Sequence, residues 1–151
     1  MFDALLIGCA VVVANMAIQV IAALALVRFL VRRLDSMSLA PGLGADIGFM
    51  STVVFFLFVG HLLQFATWAL IFVWLGQFTD FQTAFYHSAV NFTSLGYGDI
   101  VMDENWRLLG ALEAANGVLM FGLTAGTMLS VMNRLFTRHK ALADSLEKLG
   151  R

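Results

Sequence analysis

The stretch Asn91-Phe92-Thr93-Ser94-Leu95-Gly96-Tyr97-Gly98-Asp99 holds the residues whose chemistry is most specific in this chain. Two glycines flank one tyrosine, after a run of hydroxyl side chains and before an acid, and long apolar segments lie on either side. Gly96 and Gly98 can take backbone angles closed to other residues, so the chain around Tyr97 can extend with successive carbonyls turned the same way. A ring of such carbonyls can replace the water around a cation. Thr93, Ser94, Leu95, Gly96, Tyr97 and Gly98 make up the candidate ion-binding loop.

Such a loop needs elements to hold it, and the composition says where they lie. At 151 residues with 60% hydrophobic content and one proline, the chain is too apolar for an ordinary soluble domain, which makes it an integral membrane protein. A net charge of −1, without clustered Lys and Arg, argues against a nucleic-acid partner. Cys9 is the single cysteine, so no intrachain disulfide forms, and its apolar neighbours point to packing.

Residues 4–27 are apolar over a length that crosses a bilayer, which takes about 20 helical residues. Only Asp3 is charged ahead of them, unlike a secretory signal, and Arg28, Arg32 and Arg33 follow. The basic cluster places the N-terminus outside and the end of this span in the cytoplasm. The three arginines lie together at the helix end rather than along it, so they anchor the span and do not sense voltage. A polar connector with Pro41, Gly42 and Gly44 leads to a second span over 47–76, with Trp68 and Trp74 toward its outer end. A third span over 108–135 closes on Arg134, Arg138, His139 and Lys140, again a cytoplasmic end. Leu142, Leu146 and Leu149 at helical spacing predict a short amphipathic helix in the tail.

Between the second and third spans, Thr79 and Gln82 form a capping box that starts a helix running to about Phe92. It is too short to span, and a re-entrant helix is tolerated only when buried in protein or lining water. Its C-terminal end carries partial negative charge that favours a cation at the membrane centre. Asp80, Asp99, Asp103 and Glu104 outnumber Arg107 in this outer segment and would concentrate cations at a mouth. Glu113 is the one acid inside an apolar span, which predicts that it turns inward behind the loop, near Asn91, Thr93 or Ser94. Asn15 and Gln19 share a face of the first span, and His61 and Gln64 a face of the second, so these faces are expected to meet and hydrogen-bond. A proton-sensing role for His61 is the sharper alternative to that structural one.

Ser94-Leu95-Gly96-Tyr97-Gly98-Asp99 resembles the potassium-channel signature Thr-Val-Gly-Tyr-Gly-Asp, with four positions identical and two conservative changes. The resemblance extends through Ala84-Phe85-Tyr86-His87-Ser88 and through Asn116-Gly117-Val118-Leu119-Met120-Phe121-Gly122-Leu123, which is similar to the family's pore-lining helix. It covers about 79–135 by motif and the second span by position. It implies an all-α membrane protein of three spans, a re-entrant pore helix and a filter loop, assembled as a homotetramer in the lipid bilayer. Potassium ions would bind at Ser94, Leu95, Gly96 and Tyr97. Tyr86 and His87 stand where the family often has two tryptophans bracing the filter, and with Asp99 and Glu113 they make up the expected filter support. The Tyr97 ring is expected against Tyr86 and His87. Gly117 matches the family's gating hinge, with close helix packing as its other reading. Helical periodicity puts Val118, Phe121, Gly122, Ala125 and Leu129 on one face, taken to line the cavity.

The expected organisation is an N-terminal span over 1–34, a connector over 35–46, a pore domain over 47–136 and a cytoplasmic tail over 137–151. The implied function is passive potassium-selective conduction, without a cofactor and without enzymatic activity, in the plasma membrane of a prokaryotic cell. A non-selective monovalent cation channel and a membrane scaffold with a vestigial filter are the alternatives. A transporter subunit fits less well, since such proteins usually carry several pore loops on one chain and this one has a single loop.

Overall fold

The computed structural model describes residues 2–36 and 42–149, so Pro41 of the expected connector lies outside the described residues. Four helices follow in order: α1 (Phe2–Ser36), α2 (Leu43–Trp74), α3 (Phe81–Phe92) and α4 (Arg107–Leu149). Among the described residues there is no strand. By length and hydropathy, Phe2–Phe29, Gly44–Trp74 and Arg107–Ser145 are each sufficient to cross a membrane. With 12 residues, α3 is about 18 Å long at 1.5 Å per residue and cannot.

The helix ends are set by local chemistry. At the end of α2, Gly76 takes a left-handed φ of 70°, while Gly76 N–H and Gln77 N–H donate to the Val73 and Phe72 carbonyls. That closes the helix two residues before the expected boundary, because only glycine enters this conformation without steric cost. Asp80 caps α3, its Oδ1 accepting from Thr83 N–H at 2.8 Å, and that bond holds the Asp80 carboxyl below its usual range. The expected Thr79 capping box is thus one residue early, and a carboxylate at this position also meets the positive end of the helix dipole. The tail does not form a separate helix. With no glycine or proline between Gly126 and Gly150, nothing interrupts α4 after the membrane, and it runs on to Leu149.

Both α1 and α3 pack against α2 and α4, which touch each other less. Trp68 and Phe72 of α2, Phe92 of α3 and Leu109 and Met120 of α4 form one core around α3. Leu26, Val53, Leu57 and Val131 form a second core toward the opposite end of the three long helices. Large apolar side chains such as Phe55, Phe58, Leu63 and Leu70 point outward, as they do where the solvent is lipid. The polar faces of the first two spans do meet: Gln64 Nε2 donates to Gln19 Oε1 at 3.0 Å and to the Asn15 carbonyl at 3.3 Å. The Asn15 partner is its backbone oxygen rather than its side chain, and Thr124 of α4 joins the same group through Gln19 and His61.

Gly8 marks the closest approach of α1 to α4, since a Cβ there would lie 3.2 Å from Leu109 Cδ2 and closer still to Leu112. Gly8→Val should therefore weaken the docking of α1 by about 1–3 kcal/mol, the usual cost of overpacking. Thermal unfolding in detergent reads the loss as a lower midpoint.

Candidate ion pathway

A helix that stops inside a membrane leaves its last carbonyls without intrahelical donors. Here the following loop supplies them. Thr93 N–H donates to Ala89 O at 3.2 Å and Ser94 N–H to Asn91 O at 2.8 Å, while Val90 O accepts from Leu95 N–H at 3.0 Å and Gly96 N–H at 3.3 Å. The Thr93 hydroxyl turns back as well, 2.7 Å from Ala89 O and 3.2 Å from Val90 O. Four consecutive backbone donors are thus consumed by α3. No hydrogen-bond donor reaches the carbonyls of Thr93–Gly98 among the described residues.

The backbone at these positions alternates. Ser94, Gly96 and Gly98 have φ of 60°, 57° and 73°, and Leu95 and Tyr97 between them have negative φ. Left-handed geometry at every second residue turns successive peptide planes back toward one side, which lets an extended segment present its carbonyls together. The two glycines take it freely, and Ser94 carries it at a cost of roughly 1–2 kcal/mol. Thr93 through Asp99 are all exposed on the single chain.

The outer end of the loop is tied to α3 by side chains. Tyr86 Oη donates to Asp99 Oδ2 at 2.8 Å, and that bond raises the phenol above its usual range. His87 is buried, which lowers its basicity. The neutral ring donates from Nδ1 to Ile100 O at 3.0 Å and accepts at Nε2 from Asn91 Nδ2 at 2.7 Å. Tyr86 and His87 therefore support the loop through Asp99 and the Ile100 backbone. The Tyr97 ring is 67% exposed on the single chain, with its phenol close enough to Tyr86 to interact electrostatically.

Glu113 is fully buried and turned away from the loop lumen, as expected; of the anticipated residues Asn91 hydrogen-bonds to it, and Ser88, one turn earlier on α3, joins as a second partner. Ser88 Oγ lies 2.5 Å from Glu113 Oε1 and 2.9 Å from the Phe65 carbonyl. One hydroxyl proton faces two acceptors, so one of these contacts requires a proton on the carboxyl. The bond pins α3 to α2 and α4 at once. Ser88 was missed because a lone serine beside aromatic residues carries no distinctive pattern; its spacing of three from Asn91, which packs at Gly110 of α4, is the signal that marks the face.

One turn below, Gly117 meets the end of α3. A Cβ at this residue would overlap the Phe92 carbonyl oxygen and lie 2.8 Å from the Phe92 carbonyl carbon. In this conformation α4 runs unbroken through Gly117, whose missing side chain makes room for backbone. Of the expected cavity face, Val118, Gly122, Ala125 and Leu129 are exposed. Phe121 is 38% exposed and leans inward, its ring 4.7 Å from His61 and 5.8 Å from Phe92.

Three crossing helices, one short helix ending inside the protein and a carbonyl-lined loop after it define a pore-loop membrane protein. Residues 49–134 match the family model described as "Ion channel" (Ion_trans_2) over more than half of the chain, and the chain belongs to this family of two-span pore-loop ion channels. α1 precedes the matched region. No curated protein and no solved structure gives a match.

Gly117→Ala should lower stability by about 1–3 kcal/mol, because a backbone carbonyl cannot rotate away as a side chain can. Gly126→Ala, with nothing within 4 Å of its Cβ, should be neutral or stabilising by up to about 1 kcal/mol. Thermal melts of the two variants in the same detergent make the comparison.

Proposed function

We propose that this ion channel is potassium-selective and that four copies close their filter loops around one axis. The observation that carries the reading is the alternation of φ sign at Ser94, Gly96 and Gly98, with the neighbouring N–H groups already bound to α3. One loop offers carbonyls on one side only, so an ion needs further copies to replace its hydration shell. Cyclic assembly supplies identical loops at equal distance from the axis. The exposure of Leu95 and Tyr97 and of the α4 face at Val118, Ala125 and Leu129 is consistent with surfaces that the other copies cover.

The carbonyls of Ser94, Leu95, Gly96 and Tyr97, with the Ser94 hydroxyl beneath them, form the column of ion sites. No carboxylate enters it, since Asp99 is bound to Tyr86 outside the loop. Neutral dipoles compensate poorly for the hydration of a divalent ion, so monovalent cations pass and calcium does not. Among monovalents, cavity size and carbonyl field strength both favour potassium over sodium. Transport is passive and uses no cofactor. The basic residues Arg28, Arg134, Arg138 and Lys140 support a plasma-membrane topology with the N-terminus outside and the tail in the cytoplasm.

Reversal potentials of the purified protein in planar bilayers, with potassium on one side and sodium on the other, should lie close to the potassium equilibrium potential. A reversal potential at zero would replace the selective channel with a non-selective one.

A further inference from the structure

Gln19 of α1, His61 and Gln64 of α2 and Thr124 of α4 close a ring of four hydrogen bonds between three membrane spans. Gln64 Nε2 donates to Gln19 Oε1 at 3.0 Å, and Gln19 Nε2 donates to Thr124 Oγ1 at 2.8 Å. Thr124 Oγ1 lies 3.0 Å from His61 Nε2, and His61 Nδ1 lies 3.0 Å from Gln64 Oε1. The direction of the ring is determined. Gln64 is oriented by its second donation to the Asn15 carbonyl, so its Oε1 faces His61 and accepts from Nδ1–H. Nε2 is then the acceptor for the Thr124 hydroxyl. A neutral imidazole with its proton on Nδ1 satisfies every member.

Protonation breaks this order. Both ring nitrogens become donors, Thr124 Oγ1 receives from His61 and Gln19 together, and its own proton loses its acceptor. The new charge also has no counter-ion. The hydrogen-bond and ring partners of His61 are Gln64, Thr124, Phe92 and Phe121, none of which titrates toward an anion. On the packed elements, Glu113 lies eight residues from Phe121, Arg28 nine from Gln19 and Arg134 ten from Thr124, about 12, 14 and 15 Å along their helices. His87 on α3 is turned to Ile100, and its burial lowers its basicity. The Phe121 ring, itself partly exposed on the α4 face proposed to line the cavity, lies 4.7 Å from His61, which puts the imidazole one side chain away from that face.

We propose that this ring is a latch by which α1 holds the pore-lining helix, and that protonation of His61 releases α4 and favours opening. The consequence for opening rests on the channel reading; the release of α4 from α1 does not.

Three measurements test it together. In proteoliposomes, potassium flux should rise as pH falls through the His61 titration. His61→Gln keeps a donor and an acceptor but cannot titrate, and should lose the rise; Thr124→Val should raise flux at every pH. Nitrogen-15 NMR of histidine-labelled protein should find neutral His61 protonated on Nδ1. Val20 and Thr127 face one groove between α1 and α4. Spin labels at these positions, in a Cys9→Ser background, should show dipolar broadening that weakens at low pH in the wild type and persists in His61→Gln. A proton on Nε2 in the neutral form, broadening that ignores pH, or a flux response retained by His61→Gln would overturn the latch. Absent flux from every variant, with broadening still dependent on pH and His61, would instead overturn the channel reading and leave the latch standing.

Discussion

A twelve-residue helix cannot cross a bilayer, so α3 ends inside the protein with polar backbone that no lipid can satisfy. The rest of the molecule follows from how that end is satisfied. Its last carbonyls take the N–H groups of Thr93, Ser94, Leu95 and Gly96, which fixes the loop and leaves the loop's own carbonyls unpaired. Unpaired carbonyls at membrane depth are costly unless something charged or wet faces them. In the proposed channel a permeant cation would face them.

The three long helices are arranged to protect this junction. Trp68 and Phe72 from α2 and Leu109 and Met120 from α4 enclose the aromatic side of α3, while Gly117 lets its carbonyl end press against α4 without an intervening side chain. Two polar ties supplement the packing. Ser88 joins α3 to the Phe65 backbone and to Glu113, and Tyr86 and His87 hold the outer end of the loop at Asp99 and Ile100. α1 lies outside the matched family region and is joined to the pore helices by close packing at Gly8 and by the Gln19 hydrogen bonds. It is an added element with a specific seat.

Much of this was legible from residue types. Gly96 and Gly98 around Tyr97 announce a backbone that other residues resist, and apolar runs of membrane length announce the spans. The inward turn of Glu113 and the meeting of the Gln19 and His61 faces follow from the cost of exposing polar groups to lipid. Partners were less legible, because they depend on rotation between helices. Ser88 joining Asn91 beside Glu113, and Thr124 completing the ring, are additions to the expectation from about a turn away or from another element. Thr124 in particular lies among small and apolar residues where a hydroxyl usually bonds its own helix, as Thr127 does with Leu123 O. The bonds of Tyr86 to Asp99 and of His87 to the Ile100 backbone were not legible, since a side chain one residue along a helix turns by about 100°.

In the proposed tetramer, loop carbonyls from four chains hold ions in line. Anomalous diffraction from crystals grown with thallium in place of potassium addresses it directly. A row of anomalous peaks is expected on a fourfold axis, each between rings of carbonyls from Ser94 to Tyr97. Chains arranged without that axis, or an axis bare of anomalous density at those carbonyls, would contradict it.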